Sequence, residues 1–271
     1  MTLMNAETLV RNAEWLWRQV VSETRDLARK EPLLASFYHA SLLNHASLGS
    51  ALSFLLAATL SDRNVPAMLL RQVCSDAYAA DPAIVETAAA DSLAHYDRDP
   101  ACHYFSMPLL NFKGFHAVQA YRVAHSLWLQ ERLALALFLQ NRIASVFDVD
   151  IHPGAVIGSG LMVDHGTGVV IGETAVIGNN VSMLHSVTLG GSGTANTQRH
   201  PRVDDDVLIA SGAKLLGPIF IGRGAKIAAG SVVLEDVAAF TTVAGVPAHR
   251  VGLAHADGLS LDVNSLAGPL A

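Results

Sequence analysis

From Ile151 to Val233 an apolar side chain recurs at six-residue steps: Ile151, Ile157, Val163, then Ile171, Ile177, Met183, Leu189, then Val203, Ile209, Leu215, Ile221, Ile227 and Val233. That period matches neither the ~3.6 residues of a helix nor the ~2 of a strand. It fits a chain wound into coils, each hexad being one short strand whose leading side chain points inward, as in a parallel β-helix. The fifth residue of most hexads is small or aliphatic (Ala155, Leu161, Ala175, Val181, Val207, Ala213, Ala225, Ser231), so it too is expected inside. Glycine follows the lead residue at Gly158, Gly172, Gly178, Gly190 and Gly222, where a chain that turns so often is expected to need unhindered φ.

Before residue 145 the pattern is helical. Leu9, Ala13, Leu16, Trp17, Val20 and Val21 recur at three and four, and alanine-rich stretches contain few β-branched residues. Asp81-Pro82 and Asp99-Pro100 each predict a helix start, with the acid as N-cap and proline in the first turn; Asn64-Val65-Pro66 is a looser version. The expected fold class is α+β, an N-terminal all-α domain over 1–145 followed by a parallel β-helix of hexapeptide repeats over 146–251. The tail, 252–271, has no hexad and is expected to be poorly ordered.

The ladder has two defects. Between Val163 and Ile171 the step is eight residues, the extra length falling beside Asp164-His165-Gly166. Between Leu189 and Val203 it is fourteen, and the segment 190–202 holds no large apolar anchor, so it is expected to be a loop thrown out from the coil. Loops on a rigid solenoid are where binding and catalytic groups tend to sit.

Composition narrows the class. A net charge of -6 with no basic cluster argues against a nucleic-acid groove. Cys74 and Cys102 are the only cysteines, too few for a disulfide framework and suited to a reducing cytoplasm. Glu7, Arg11 and Glu14 among the N-terminal apolar residues are not the layout of a signal peptide. Leu48 to Leu60, the longest greasy stretch, falls short of the ~20 residues that span a bilayer. The expectation is a soluble, cytoplasmic protein with neither a membrane nor a nucleic-acid partner.

Ionisable residues beside the coil are the candidates for chemistry: Asp150, His152, Asp164, His165, His185, Arg199 and His200. Asp150 and His165 are fifteen residues apart, close to a coil of three hexads, so neighbouring coils could bring them together. A carboxylate bonded to one imidazole nitrogen fixes the tautomer and raises the basicity of the other, making a general base for an alcohol. The plain alternative is that each histidine is a solvated turn residue; clustering at both ladder defects weighs against it.

Phe147-Asp-Val-Asp-Ile-His-Pro153, Asp164-His-Gly-Thr-Gly168, Gly172-Glu-Thr-Ala175, Ser186-Val-Thr-Leu-Gly-Gly191, Arg199-His-Pro201 and Ala244-Gly-Val-Pro-Ala248 resemble bacterial serine acetyltransferases. The resemblance extends into the helical part through Glu31-Pro-Leu-Leu-Ala-Ser-Phe-Tyr-His-Ala40, Ala77-Tyr-Ala-Ala-Asp-Pro82 and Lys113-Gly-Phe-His116. It implies a left-handed β-helix, and trimers that pair into hexamers through the helical domains. It implies acetyl transfer from acetyl-CoA to L-serine in cysteine biosynthesis, with L-cysteine as feedback inhibitor and no metal. His165 would be the general base and Asp150 its orienting partner; Asp164, Arg199 and His200 would hold the amino acid. Asp99 would contact substrate, although Asp81-Pro82-Ala83 is the same tripeptide read as a cap, and one carboxylate can do both. Backbone N–H groups near Gly190 and Gly191 would face the oxyanion, and Gly212, Lys226 and Ala229 would flank the acetyl-CoA groove. Many members of that family end in isoleucine, which inserts into the active site of O-acetylserine sulfhydrylase; this chain ends Gly268-Pro-Leu-Ala271, so that complex is expected to be absent or weak.

Three other readings stay open. A hexapeptide-fold carbonic anhydrase would use His165, His185 and His200 as a zinc trio, against which stand Asp164 and Arg199 directly beside two of them. A related acyltransferase would use another hydroxyl acceptor, such as homoserine. A non-catalytic solenoid would leave the Asp150 and His165 pairing incidental.

Overall fold

The computed structural model describes residues 11–193 and 197–254. Its first half is helical: α1 (Ala13–Lys30), α2 (Ala35–Tyr38), α3 (Leu48–Leu60), α4 (Ala67–Ala80), α5 (Ala83–Arg98), α6 (Met107–Asn111), α7 (Lys113–Leu129) and α8 (Leu133–Phe147). The Asn12 side chain accepts from the Trp15 amide at 2.9 Å and so caps α1, which buries Ala13, Leu16, Trp17 and Val20. The greasy stretch Leu48 to Leu60 is α3, a core helix capped by Ser47. No single helix among the described residues is long and apolar enough to cross a membrane.

The predicted helix starts divide. Asp81 does cap α5, its carboxylate accepting the Ala83 amide at 3.1 Å. At Asp99-Pro100 no helix begins. The Asp99 carboxylate takes the Ala101 amide at 2.8 Å and its carbonyl takes the Cys102 amide at 2.9 Å, closing a turn, and the next helix is α6. A side chain that satisfies the backbone locally ends order as readily as it starts it.

A single residue, Asp148, separates α8 from the first strand. The first coil is β1 (Val149–Ile151), β2 (Val156–Ile157) and β3 (Met162–Val163); the second is β4 (Val169–Ile171), β5 (Val176–Ile177) and β6 (Ser182–Met183). The third is β7 (Thr188–Gly190), β8 (Arg202–Val203) and β9 (Leu208–Ile209), and the fourth β10 (Lys214–Leu216), β11 (Phe220–Ile221) and β12 (Lys226–Ile227). A fifth follows with β13 (Val232–Val233), a bridge from Val237 to Ile221, and β14 (Thr241–Gly245), against which β15 (Ala248–Leu253) folds back antiparallel. The solenoid is a left-handed parallel β-helix.

Three flat faces result, β1-β4-β7-β10-β13, β11-β8-β5-β2, and the face of β3, β6, β9, β12 and β14, parallel throughout until β15. Every lead residue of the ladder and every small fifth residue is buried, so the coil interior is a column of stacked aliphatic layers. That column runs without a break into the helices through Phe147, Ile143 and Tyr121.

The glycines after the lead residues work differently from expectation. None of Gly158, Gly172, Gly178, Gly190 or Gly222 has positive φ. Space is what they supply: a Cβ on Gly158 would sit 2.7 Å from the Gly178 carbonyl oxygen, and one on Gly222 would sit 2.5 Å from the Ala239 nitrogen. The end of the coil differs too. Gly252 and Leu253, read as tail, belong to β15. The remainder of that tail, 255–271, lies outside the described residues, as does Leu9.

One ion pair fastens the helices to the coil. Arg122 of α7 grips Asp91 of α5 through Nε at 2.8 Å and Nη2 at 3.0 Å, and also donates to the Gly158 carbonyl at 2.8 Å. Asp91 accepts in addition from the Leu161 amide at 2.9 Å and from Gln119 at 2.9 Å. With Asp91 fully buried, these donors are what keeps its charge tolerable.

Candidate active site

The candidate residues fall on two corners of the three-sided coil. One corner lies between the third face and the first. There His165 joins β3 to β4 and His185 joins β6 to β7, while Gly212 and Ala229 occupy the same corner one and two coils further on. The register Val163 to Met183 to Ile209 to Ile227 places these positions in a column, about 4.8 Å apart per coil. Lys226 lies on the third face itself, buried.

The eight-residue step opens this corner. His165, Gly166 and Gly168 all take positive φ, and the His165 ring turns outward, 70% exposed. Helix α7 comes so close that a Cβ on Gly114 would overlap the Val163 carbonyl, which seats Lys113 beside the opening. The end of α5 delivers Asp99. The result is a cavity of about 380 Å³ walled by Asp99, Lys113, Asp164, His165, His95 and Asn111. His165 Nε2 lies 3.6 Å from the Asp164 carboxylate, and its ring meets that of His185 edge to face at 5.7 Å. Asp99 therefore both closes a turn and faces this cavity. Burial drives the His95 imidazole down to about 3.

The second group sits where the first face turns into the second. Here a cavity of about 470 Å³ is walled by Asp150, His152, Glu173, Arg199 and His200, with Gln140 from α8. Between β7 and β8 the described residues 191–193 and 197–201 form no strand, as expected, and Ser192 N–H donates to the Arg199 carbonyl at 3.1 Å. Thr174 organises the return of the chain: Oγ1 accepts the Arg199 amide at 3.1 Å and the His200 amide at 3.2 Å, and bonds His200 Nδ1 at 2.9 Å. The Arg199 guanidinium pairs with Glu173, holding that carboxyl below its ordinary range. Gly172 and Gly191 leave room for the His200 ring, since a Cβ on Gly191 would stand 2.9 Å from its Nε2. Gly190 and Gly191 thus belong to this corner and not to that of His165. Burial, then the nearby Arg199 charge, lowers the His200 pKa, favouring a neutral imidazole.

Within one chain Asp150 does not meet His165. Asp150 accepts from Gln140 Nε2 at 2.7 Å and lines the Arg199 cavity. The reason is the length of the first coil. The register pairs Asp150 with Val170, twenty residues on, so a fifteen-residue separation ends short of the same face. His200 likewise lies on the corner away from His165 and His185, and among the described residues no group of three or more His, Cys, Asp or Glu side chains is placed to hold a metal ion.

Lys113, Gln140, Glu173 and Thr174 went unmarked as site residues in the sequence. Lys113 and the Glu173-Thr174 pair lie in Lys113-Gly-Phe-His116 and Gly172-Glu-Thr-Ala175, and the signal is their place beside glycines that admit close neighbours. Gln140 carries no signal, being one polar residue on a helix.

Residues 16–120 match the family model described as serine acetyltransferase, N-terminal. The chain is 56% identical over 251 residues to the serine acetyltransferase of Escherichia coli (strain K12), covering 93% of this chain and 92% of that one. Its fold matches the crystal structure of serine acetyltransferase from Vibrio cholerae with a TM-score of 0.92 at 51% identity, over 94% of this chain and all of the other. A serine acetyltransferase in complex with CoA matches with a TM-score of 0.86 at 51% identity, over 88% of this chain and all of that one. With the same helical layer, the same coil and identity at this level along almost its whole length, the chain belongs to the serine acetyltransferase family.

Proposed function

We propose that this chain transfers acetyl from acetyl-CoA to the hydroxyl of L-serine, giving O-acetyl-L-serine and CoA, at a site completed by two copies of the chain. The observation that carries the reading is the His165 corner of a serine acetyltransferase: an outward imidazole beside two carboxylates, at the foot of a column continued by His185, Gly212 and Ala229. Solved relatives hold CoA, serine and cysteine, which supports the choice of ligands.

His165 is placed to take the proton from the serine hydroxyl as its oxygen attacks the thioester carbonyl carbon. The resulting oxyanion collapses, the C–S bond breaks, and the imidazolium returns its proton to the departing CoA sulfur. The route needs no acyl-enzyme. Asp164 and Asp99 suit the ammonium group of serine, and acetyl-CoA extends from His165 along the corner of Gly212 and Ala229.

Arg199 suits the serine carboxylate, being a planar fork already poised by Glu173. On its own chain it lies on the wrong corner. A ring of identical subunits joins two different surfaces of neighbouring copies, so a trimer can set the Arg199, His200 and Asp150 corner of one copy against the His165 corner of the next. Asp150 then orients the His165 ring from across the interface, and Gly190 and Gly191 reach the oxyanion in the same way. The assembly is a trimer or a pair of trimers. In this reading 1–145 supports assembly and delivers Asp99, and 146–251 carries the chemistry. L-Cysteine shares the amino and carboxylate groups of serine and inhibits by occupying the same site. We assign the chain to the cytoplasm, in line with two buried, unbridged cysteines.

The test is thiol release from acetyl-CoA, with the product identified by mass. Release that depends on L-serine and falls on adding L-cysteine at subsaturating serine is expected; release indifferent to serine would overturn the assignment.

A further inference from the structure

We infer that His185 is a positioning residue for the general base, fixing the plane of the His165 ring by packing against it edge to face from the neighbouring coil. The inference rests on the reading of His165 as base.

An exposed histidine on a left-handed turn has little to hold it. His165 is such a residue, with φ of 58° and a ring 70% exposed. The carboxylate of Asp164 lies 3.6 Å from its Nε2, beyond hydrogen-bond length, and Asp150 of the same chain is engaged by Gln140. The aromatic contact found for His165 among the described residues is with His185, at 5.7 Å between centroids and 69° between planes. That is the geometry aromatic rings prefer, with the edge of one against the face of the other.

His185 is itself well anchored for this purpose. It sits on the same corner one coil further, where its carbonyl accepts the Gly212 amide at 3.0 Å. Its Nδ1 is buried and makes no hydrogen bond. A ring nitrogen buried without a partner implies that something other than its own hydrogen bonding sets the orientation of this half-buried imidazole, and the ring of His165 is the neighbour that profits. The Asp150 carboxylate reaching His165 from another copy would hold one ring nitrogen and its proton but leave the ring free to turn about that bond, whereas His185 would fix its plane. The two roles are complementary.

The experiment compares His185→Ala and His185→Phe with the wild type and His165→Ala in the serine-dependent thiol-release assay, all as full-length chains. Misplacing a base by an ångström costs up to ~100-fold, so His185→Ala is expected to lower kcat about tenfold or more. KM for serine should stay within about twofold, because His185 is not among the groups that face the serine cavity. His185→Phe keeps an aromatic edge and should recover most of kcat, a rescue that loss of general stability would not give. Should the alanine variant not assemble, His185→Gln, of similar size but without a ring, carries the same expectation. A kcat for the ringless variant within about twofold of wild type, or a phenylalanine variant as slow as the ringless one, would overturn the inference. Wild type that fails to acetylate serine would instead overturn the reading of the site, whereas active wild type and inactive His165→Ala beside an unaffected His185→Ala would remove only the role of His185.

Discussion

At the scale of single residues, the candidate side chains concentrate where the six-residue ladder breaks. The eight-residue step exists to let His165 leave the coil: positive φ at His165, Gly166 and Gly168 turns the imidazole outward while Val163 and Ile171 stay in register. His165→Ala removes the proposed base and should lower kcat by about 100-fold or more, read as thiol release at saturating substrates; a rate within about twofold of wild type would end that role. Asp164 and His165 were legible because they stand in a short, distinctive context, whereas Asp99 shares its Asp-Pro-Ala with Asp81 and only packing sets the two apart. Asp150 was legible as a candidate but not in its surroundings, since residue spacing says how far along a coil a side chain lies only if every coil has one length, and the first has twenty residues. Thr174 and Glu173 show the other limit. Their partners Arg199 and His200 lie about one coil later, beyond a loop whose return path no local pattern encodes.

Among elements, α5 matters most to the site because its C-terminal end delivers Asp99. Its position depends on Asp91, which takes Arg122, Gln119 and the Leu161 amide, and on Arg98, whose guanidinium reaches Ser182 Oγ at 3.0 Å and the Asn180 carbonyl at 3.1 Å. Asp91→Ala strands the buried Arg122 charge and is expected to cost about 3–5 kcal/mol of stability, measured by urea unfolding. The same variant should raise KM for serine more than KM for acetyl-CoA, because Asp99 faces the cavity proposed for serine. A loss of stability under about 1 kcal/mol would show that the pair contributes little. Helix and coil could be told apart in the sequence because their periods differ. The clasp between them could not, since Asp91 and Arg122 read as ordinary helix-surface charges until packing buries them. The glycines after the lead residues carry the same lesson: their positions were plain, but whether they supply φ or space is set by the next coil.

On the scale of the whole molecule, the chain carries two half-sites facing different ways. The two differ in what they present: an outward imidazole beside Asp164 and Asp99 on one corner, an arginine paired with Glu173 beside His200 and Asp150 on the other. Cyclic assembly is the economical way to join them, since every interface of a ring pairs one corner with the other. The most direct measurement is therefore a mixing experiment with two variants, His165→Ala and Arg199→Ala, each nearly inactive in thiol release alone. Co-expressed in equal amounts and assembled at random, they leave about one interface in four with both corners intact, so the mixture should recover roughly a quarter of wild-type activity. A mixture no more active than its components would place both residues in one chain's site and contradict the account.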